Sequence, residues 1–427
     1  MLIASGAAQD RFVTVLEIVE NSAFRYRDSL SEWQVRFPQE QGFEMIQLVR
    51  PGVPPDSDDL DLEPILRMAR ERHASIEKLD DLYRSTPMPI FMLAQGQGTT
   101  EIETWAHVVQ TESLAVHCCA GTPEEWEAAV RAVEGCRAVV LDIGAVLTVD
   151  WLELRDVLAG WPVQRLVTHA TWQALRAHKA ELERGAANAG DPSRAAAVAH
   201  LDELLRFLSE TCHQIDTPEL AAWPRESRES LLRHLGSSST ESIAAATHPG
   251  RVLWSDQIFV GLLGRKELGV THVWTQAVVY GRHAAGALGD ERLASIDARL
   301  LAWRYVSTRY SEHTLVAGAI AAGWDTKAFP FKQNLDEVVG EAARVHDRLW
   351  VIIRTIVAIC VEAATREVRS SVVIALLERI ATRPAGFAAI RAVRRALRPA
   401  FGLNHLRADE ADEVIAGWLA AHGKLDG

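Results

Sequence analysis

Ala138-Val139-Val140-Leu141-Asp142-Ile143-Gly144-Ala145 is the stretch that decides the fold. Four apolar residues, two of them β-branched, end at an acid, and a helical pattern then runs through Leu158. A short, unbroken apolar run of this kind is a strand buried on both faces, as in a parallel sheet. Reading outward, Val163 to Val167 is a second strand, and Thr168 or Thr171 caps a helix to about Arg184. A polar break at 185–193 leads into an amphipathic helix from Ser193 to Leu208, and another helical stretch covers Pro218–Leu235. Gly236-Ser237-Ser238-Ser239-Thr240 reads as a loop. Arg251–Trp254 is a third strand ending at Ser255-Asp256, a helix follows to Leu263, and Gly269–Trp274 is a fourth strand. Strands alternating with helices predict right-handed crossovers and an α/β fold, a three-layer parallel sheet covered by helices on both faces.

On either side the pattern changes. Phe12–Val19 suits a strand or a short helix, and Phe43–Val49 alternates as a strand. The proline-rich stretch 51–64, with its acids Asp56, Asp58, Asp59, Asp61 and Glu63, reads as a solvated loop. Ile65 to Tyr83 is helical, Thr99-Thr100 with Glu103 opens a helix as a capping box, and Thr122-Pro123 opens the next. From about 289 the chain is helical, as a small bundle or solenoid-like cap. The expected units are an N-terminal α+β segment over 1–130, the α/β domain over 131–288, and an all-helical domain over 289–427.

The 427 residues carry 57 acidic and 45 basic side chains, a formal net charge of -12. That balance argues against a nonspecific nucleic-acid binder with an extended basic face, while leaving room for an enzyme acting on a few phosphates. Five scattered cysteines provide neither a disulfide framework nor a CxxC zinc pair, which fits a reducing cytoplasm. Met1-Leu2-Ile3-Ala4 runs quickly into Gln9, Asp10 and Arg11, so no secretory leader is expected. The most apolar stretch, Leu349 to Val361, is interrupted by Arg354 and too short to span a bilayer.

Asp142 and Asp256 both follow strands, so both are expected at the carboxyl edge of the sheet, where open α/β sheets bind ligands. Two carboxylates there invite Mg²⁺ or Mn²⁺, which lowers the pKa of bound water and stabilises a phosphoryl oxyanion. The competing reading is that each aspartate caps the helix after its strand.

Val139–Asp142, Arg165–Leu175, Val252–Asp256 and Gly269–Thr275 together resemble the PIN-like domain family, over roughly residues 136–285. The resemblance is to the PIN-like modules attached to helical regions in large bacterial proteins. It implies a divalent-metal-dependent endoribonuclease in a toxin or anti-phage defence setting. In such an enzyme, acidic side chains hold the cation and a metal-activated water attacks an RNA phosphodiester. Asp142 matches the first acidic position and Asp256 the later one, the catalytic and metal-holding pair. The family's helix glutamate falls near Gln173 or Ala174, and Gln257 stands where a second consecutive acid often sits. Glu153, or else Glu181, is then the candidate substitute ligand. With those acids missing, the alternative is a catalytically degenerate PIN-like scaffold, or a subunit of a larger complex.

Other motifs carry less. Gly96-Gln97-Gly98 lacks the lysine and third glycine of a phosphate loop and reads as a turn. His117-Cys118-Cys119 reads as a partly buried strand, and the thirteen tryptophans read mainly as core. Between 351 and 400, nine arginines face three glutamates, and Arg391, Arg394, Arg395 and Arg398 share one helix face. That face suits solvent, an acidic protein partner docking through the helical domain, or the phosphates of RNA.

Overall fold

The computed structural model describes residues 63–86, 88–189, 192–339 and 345–423. Seven short strands are present among these: β1 (Val116–His117), β2 (Ala138–Leu141), β3 (Gln164–Thr168), β4 (His213–Ile215), β5 (Arg251–Trp254), β6 (His272–Val273) and β7 (Tyr305–Val306). Five form one sheet in the order β4-β3-β2-β5-β6, with every pairing parallel. In the register, Leu141 lies beside Val167 on one side and Trp254 on the other. β2 is buried at all four positions, because both of its faces are covered.

The two faces feed different cores. Val139, Leu141, Val167, Val252 and Trp254 pack with Trp105, Trp126, Val146 and Val278, from helices on one side. Ala138, Val140, Leu166 and Leu253 pack with Leu235, Ile243 and Val260 on the other. The chain is therefore a mixed α/β protein with a three-layer centre and a large helical part. The tryptophans act as core: Trp105 meets Trp151 edge-on at 4.8 Å, and Trp151 meets Trp303 at 5.4 Å.

Several expectations need correction. The helices expected from Ile65 to Tyr83 and after Thr100 are present as Glu63–Ser85 and Glu101–Gln110, and Ile90–Gln97 stands between them where none was expected. The strand that follows, β1, pairs in parallel with β7, nearly 190 residues away, rather than within an N-terminal sheet. The strand candidates Phe12–Val19 and Phe43–Val49 lie outside the described residues. Residues 236–240 are not a loop. Helix Arg225–Ala246 runs through them, kinked at Gly236, whose φ of 74° and ψ of 174° interrupt the helical backbone. Burial explains the outcome, since Ser238, Ser239 and Thr240 are all sealed inside the protein. The boundary at 289 falls just before a shared helix. In Asp290–Ala302, Ile296 and Leu300 join the α/β core, whereas Leu301 joins the helical one.

Six further helices, Glu312–Ala321, Phe331–Val339, Val345–Glu362, Arg366–Ala381, Gly386–Ala400 and His405–Ala421, pack around Leu335, Ile356, Leu376, Val393 and Ile415. No helix among the described residues is long and apolar enough to cross a membrane.

Candidate site at the strand-order reversal

β2 is the first strand of the sheet and lies at its centre; β3 and β4 extend one way, β5 and β6 the other. The order therefore reverses between β2 and β5, the position where open α/β sheets form a crevice beyond their carboxyl ends. Asp142 and Asp256 follow these two strands. The sequence expectation about their location holds.

Their environment is closed. Asp142 is 0% exposed and Asp256 1%. Asp142 caps helix Ile143–Trp151: its Oδ1 accepts from Ala145 N at 2.7 Å, while Oδ2 accepts the Ser255 hydroxyl. Asp256 holds the start of helix Thr275–Ala284, accepting Thr275 N at 2.8 Å and Thr275 Oγ1 at 2.6 Å. Ser255 is fixed in turn. Its Oγ accepts from Gln257 N at 3.2 Å, and its carbonyl accepts from His272 Nε2 at 2.7 Å. Burial pushes the His272 pKa down to about 4, so the ring donates as neutral imidazole. Gln257 Oε1 accepts from Ile90 N at 2.9 Å, which seats helix Ile90–Gln97 against the site.

Burial dominates the electrostatics. It raises the Asp142 pKa to about 7, against the hydrogen bonds from Ser255 and Ala145, and the nearby Asp256 adds to the rise. Asp256 is also raised by burial, opposed by its bonds to Thr275. Glu101, on helix Glu101–Gln110, is raised to about 8 by burial and then by Asp142.

The other acids named from sequence separate into two groups. Glu153 does not join the pair. It follows nine residues of helix running away from Asp142, at about 1.5 Å each. It sits at φ 57° with its side chain 83% exposed, 3.7 Å from Arg299. Glu181 lines a cleft with Glu101, His178 and Ile143, the residue next to Asp142. Ala174 lines that cleft too, and Gln173 points elsewhere, 2.7 Å from His169. Among the described residues, no group of three or more His, Cys, Asp or Glu is placed to hold a metal ion.

Glu101 was not singled out from sequence. The Thr100–Glu103 capping box is formed, and it marks residue 101 as a first-turn acid. No spacing rule links position 101 to position 142, so only the tertiary fold brings them together.

The arginine face is a groove between helices Gly386–Ala400 and His405–Ala421. Arg394 makes a bidentate pair with Asp412 at 2.7 and 3.1 Å, and Arg398 pairs with Asp409. Arg391 and Arg395 have no ion pair among the described residues, and Arg395 is exposed.

No family model matches this chain, and no curated protein or solved structure matches it either.

Proposed function

We propose that the α/β unit is a catalytically silent PIN-like scaffold whose helical domain docks an acidic protein partner. One observation carries this reading: both carboxylates are sealed and occupied, Asp142 as the cap of helix Ile143–Trp151 and Asp256 by the amide and hydroxyl of Thr275. A hard divalent ion takes six or more oxygen ligands, several of them water, which calls for accessible oxygens. At this position the Ser255 hydroxyl and the Ala145 and Thr275 amides already use the carboxylates, and Glu153 faces solvent on Arg299. The donor set does not fit Mg²⁺ or Mn²⁺, so no hydrolytic step is derived through such an ion. The partner would be recognised by Arg391 and Arg395, whose charge is not neutralised within the groove.

The second reading is an active endoribonuclease, favoured by the position of both aspartates at the strand-order reversal. An RNA cleavage assay with and without Mn²⁺ separates the two, on single-stranded and structured substrates. The scaffold reading expects no cleavage beyond that of an Asp142→Asn/Asp256→Asn variant. Mn²⁺-dependent cleavage that the double variant abolishes would restore the nuclease. For the docking face, Arg391→Glu with Arg395→Glu should abolish co-purification of an acidic partner; unchanged co-purification would remove that part.

A further inference from the structure

Beside the buried aspartate pair lies a cleft of about 310 Å³. Phe91, Ala94, Ile102, Ile143 and Ala177 make much of its wall apolar. Glu101 and His178 also line it, and each has a polar atom, Oε1 and Nδ1 respectively, that is sealed from solvent and unpartnered. His178 is 8% exposed. Buried polar atoms are nearly always hydrogen-bonded, so two unpartnered ones lining one cleft point to recognition rather than packing.

Charge selects the class of ligand. Asp142 acts on Glu101, and both Glu103 and Glu181 act on the His178 ring, whereas Arg184 is the cation lining the cleft. Burial keeps Glu101 protonated up to about pH 8, so above that pH its carboxylate, set in low-dielectric walls, focuses a negative potential into the opening. The apolar lining suits a carbon skeleton better than a hydrated metal ion, and a cleft of this volume lies at the small end of organic ligand sites, about 300 Å³ and upward.

We infer that this cleft binds a small apolar organic monocation, an amidinium or arylalkyl ammonium, with its N–H donors toward Glu101 and its hydrocarbon body against Phe91, Ile102 and Ile143. Calorimetric titration of the full chain at about pH 8.5, where Glu101 is ionised and both probes are still cations, with benzamidine and with phenethylamine tests this. At least one probe should bind saturably at one site. Its neutral counterpart, benzamide or phenylacetamide, should bind at least tenfold more weakly. Glu101→Gln should weaken the cation at least tenfold, with a thermal melt matching the parent. Absence of saturable binding by both cations at millimolar concentration would overturn the inference. Equal binding of cation and neutral counterpart to the unmutated protein would overturn it too, whether or not the Glu101 variant folds.

Discussion

The Ser255 hydroxyl donates to Asp142 Oδ2 across the seam between β5 and β2, so residues 113 positions apart close one polar contact at the centre of the sheet. Asp142 thereby does two jobs. It caps a helix through Ala145 and ties the two strands that flank the reversal of order. Removing the side chain with Asp142→Ala forfeits a cap worth about 1 kcal/mol and leaves a buried hydroxyl unpaired at about 1–3 kcal/mol. The expected loss is about 2–4 kcal/mol by urea denaturation. Asp142→Asn keeps an oxygen for Ala145 and should cost under about 1 kcal/mol at pH 5.5. An alanine variant as stable as the parent would show that the contact contributes nothing.

Acid should stabilise this protein over part of the pH range. In the folded state Asp142 holds its proton up to about pH 7 and Glu101 up to about pH 8, both well above the ordinary carboxyl values of an unfolded chain. Between about pH 4 and those values the folded form binds more protons than the unfolded one. Each such proton therefore lowers stability by about 1.4 kcal/mol per pH unit as pH rises. His272, held down to about 4, opposes with one proton of the other sign up to about pH 6.5. Asp297 is raised to about 7 by burial as well, and contributes with the same sign as Asp142 and Glu101. Unfolding midpoints at pH 5.5 and 8 should converge in Asp142→Asn relative to the parent. A variant with the parent's pH slope would contradict the assignment.

Gly236 occupies a backbone region open essentially to glycine alone, at a cost of about 1–3 kcal/mol for other residues. A Cβ there would also run into the Phe91 ring, which belongs to the helix seated on Gln257. Gly236→Ala should destabilise by about 2 kcal/mol or more. Adding Phe91→Ala should recover the steric part, giving a favourable coupling in the double-mutant cycle. Strict additivity of the two changes would mean that the ring and the glycine do not meet.

Within the arginine groove the four side chains are not equivalent. Arg391→Ala and Arg395→Ala should shift stability by less than about 0.5 kcal/mol, the usual range for surface changes. Arg394→Ala breaks the bidentate pair with Asp412 and should cost up to about 1 kcal/mol, as half-exposed pairs do. Thermal melts of the three single variants rank them directly; a costly Arg395 change would reveal a structural partner for that residue.

Much of the central sheet was legible because its strands are short apolar runs with a single reading. Ala138–Leu141 and Arg251–Trp254 appear with the predicted bounds, and the caps at Thr100 and Thr122 form as their spacing implies. Position was legible too: an acid directly after a parallel strand must stand at the carboxyl edge. Accessibility was not, because it depends on what covers that edge. Helix Ile90–Gln97 is delivered by residues well before the sheet begins, and nothing in its own sequence states where it docks. Glu153 shows the same limit in reverse. Eleven positions after Asp142 sounds close, yet an intervening helix carries it away to Arg299. The serine-rich stretch after Gly236 read as a loop by composition, whereas its residues are buried helix.

The pairing of Val116 with Tyr305 and His117 with Val306 bears on how freely the sheet could be shuffled between proteins. An excised cassette of residues 131–288 would leave both members of this clasp behind. It would also lose Trp105 and Trp303, which meet Trp151 from either side. Recombination that respects only the limits of the five-stranded sheet would transplant an open seam. The smallest transferable unit among the described residues reaches at least from helix Ile90–Gln97 to Val306. Inheritance of this sheet is thus bound to inheritance of the helices before it and the entry to the helical domain after it.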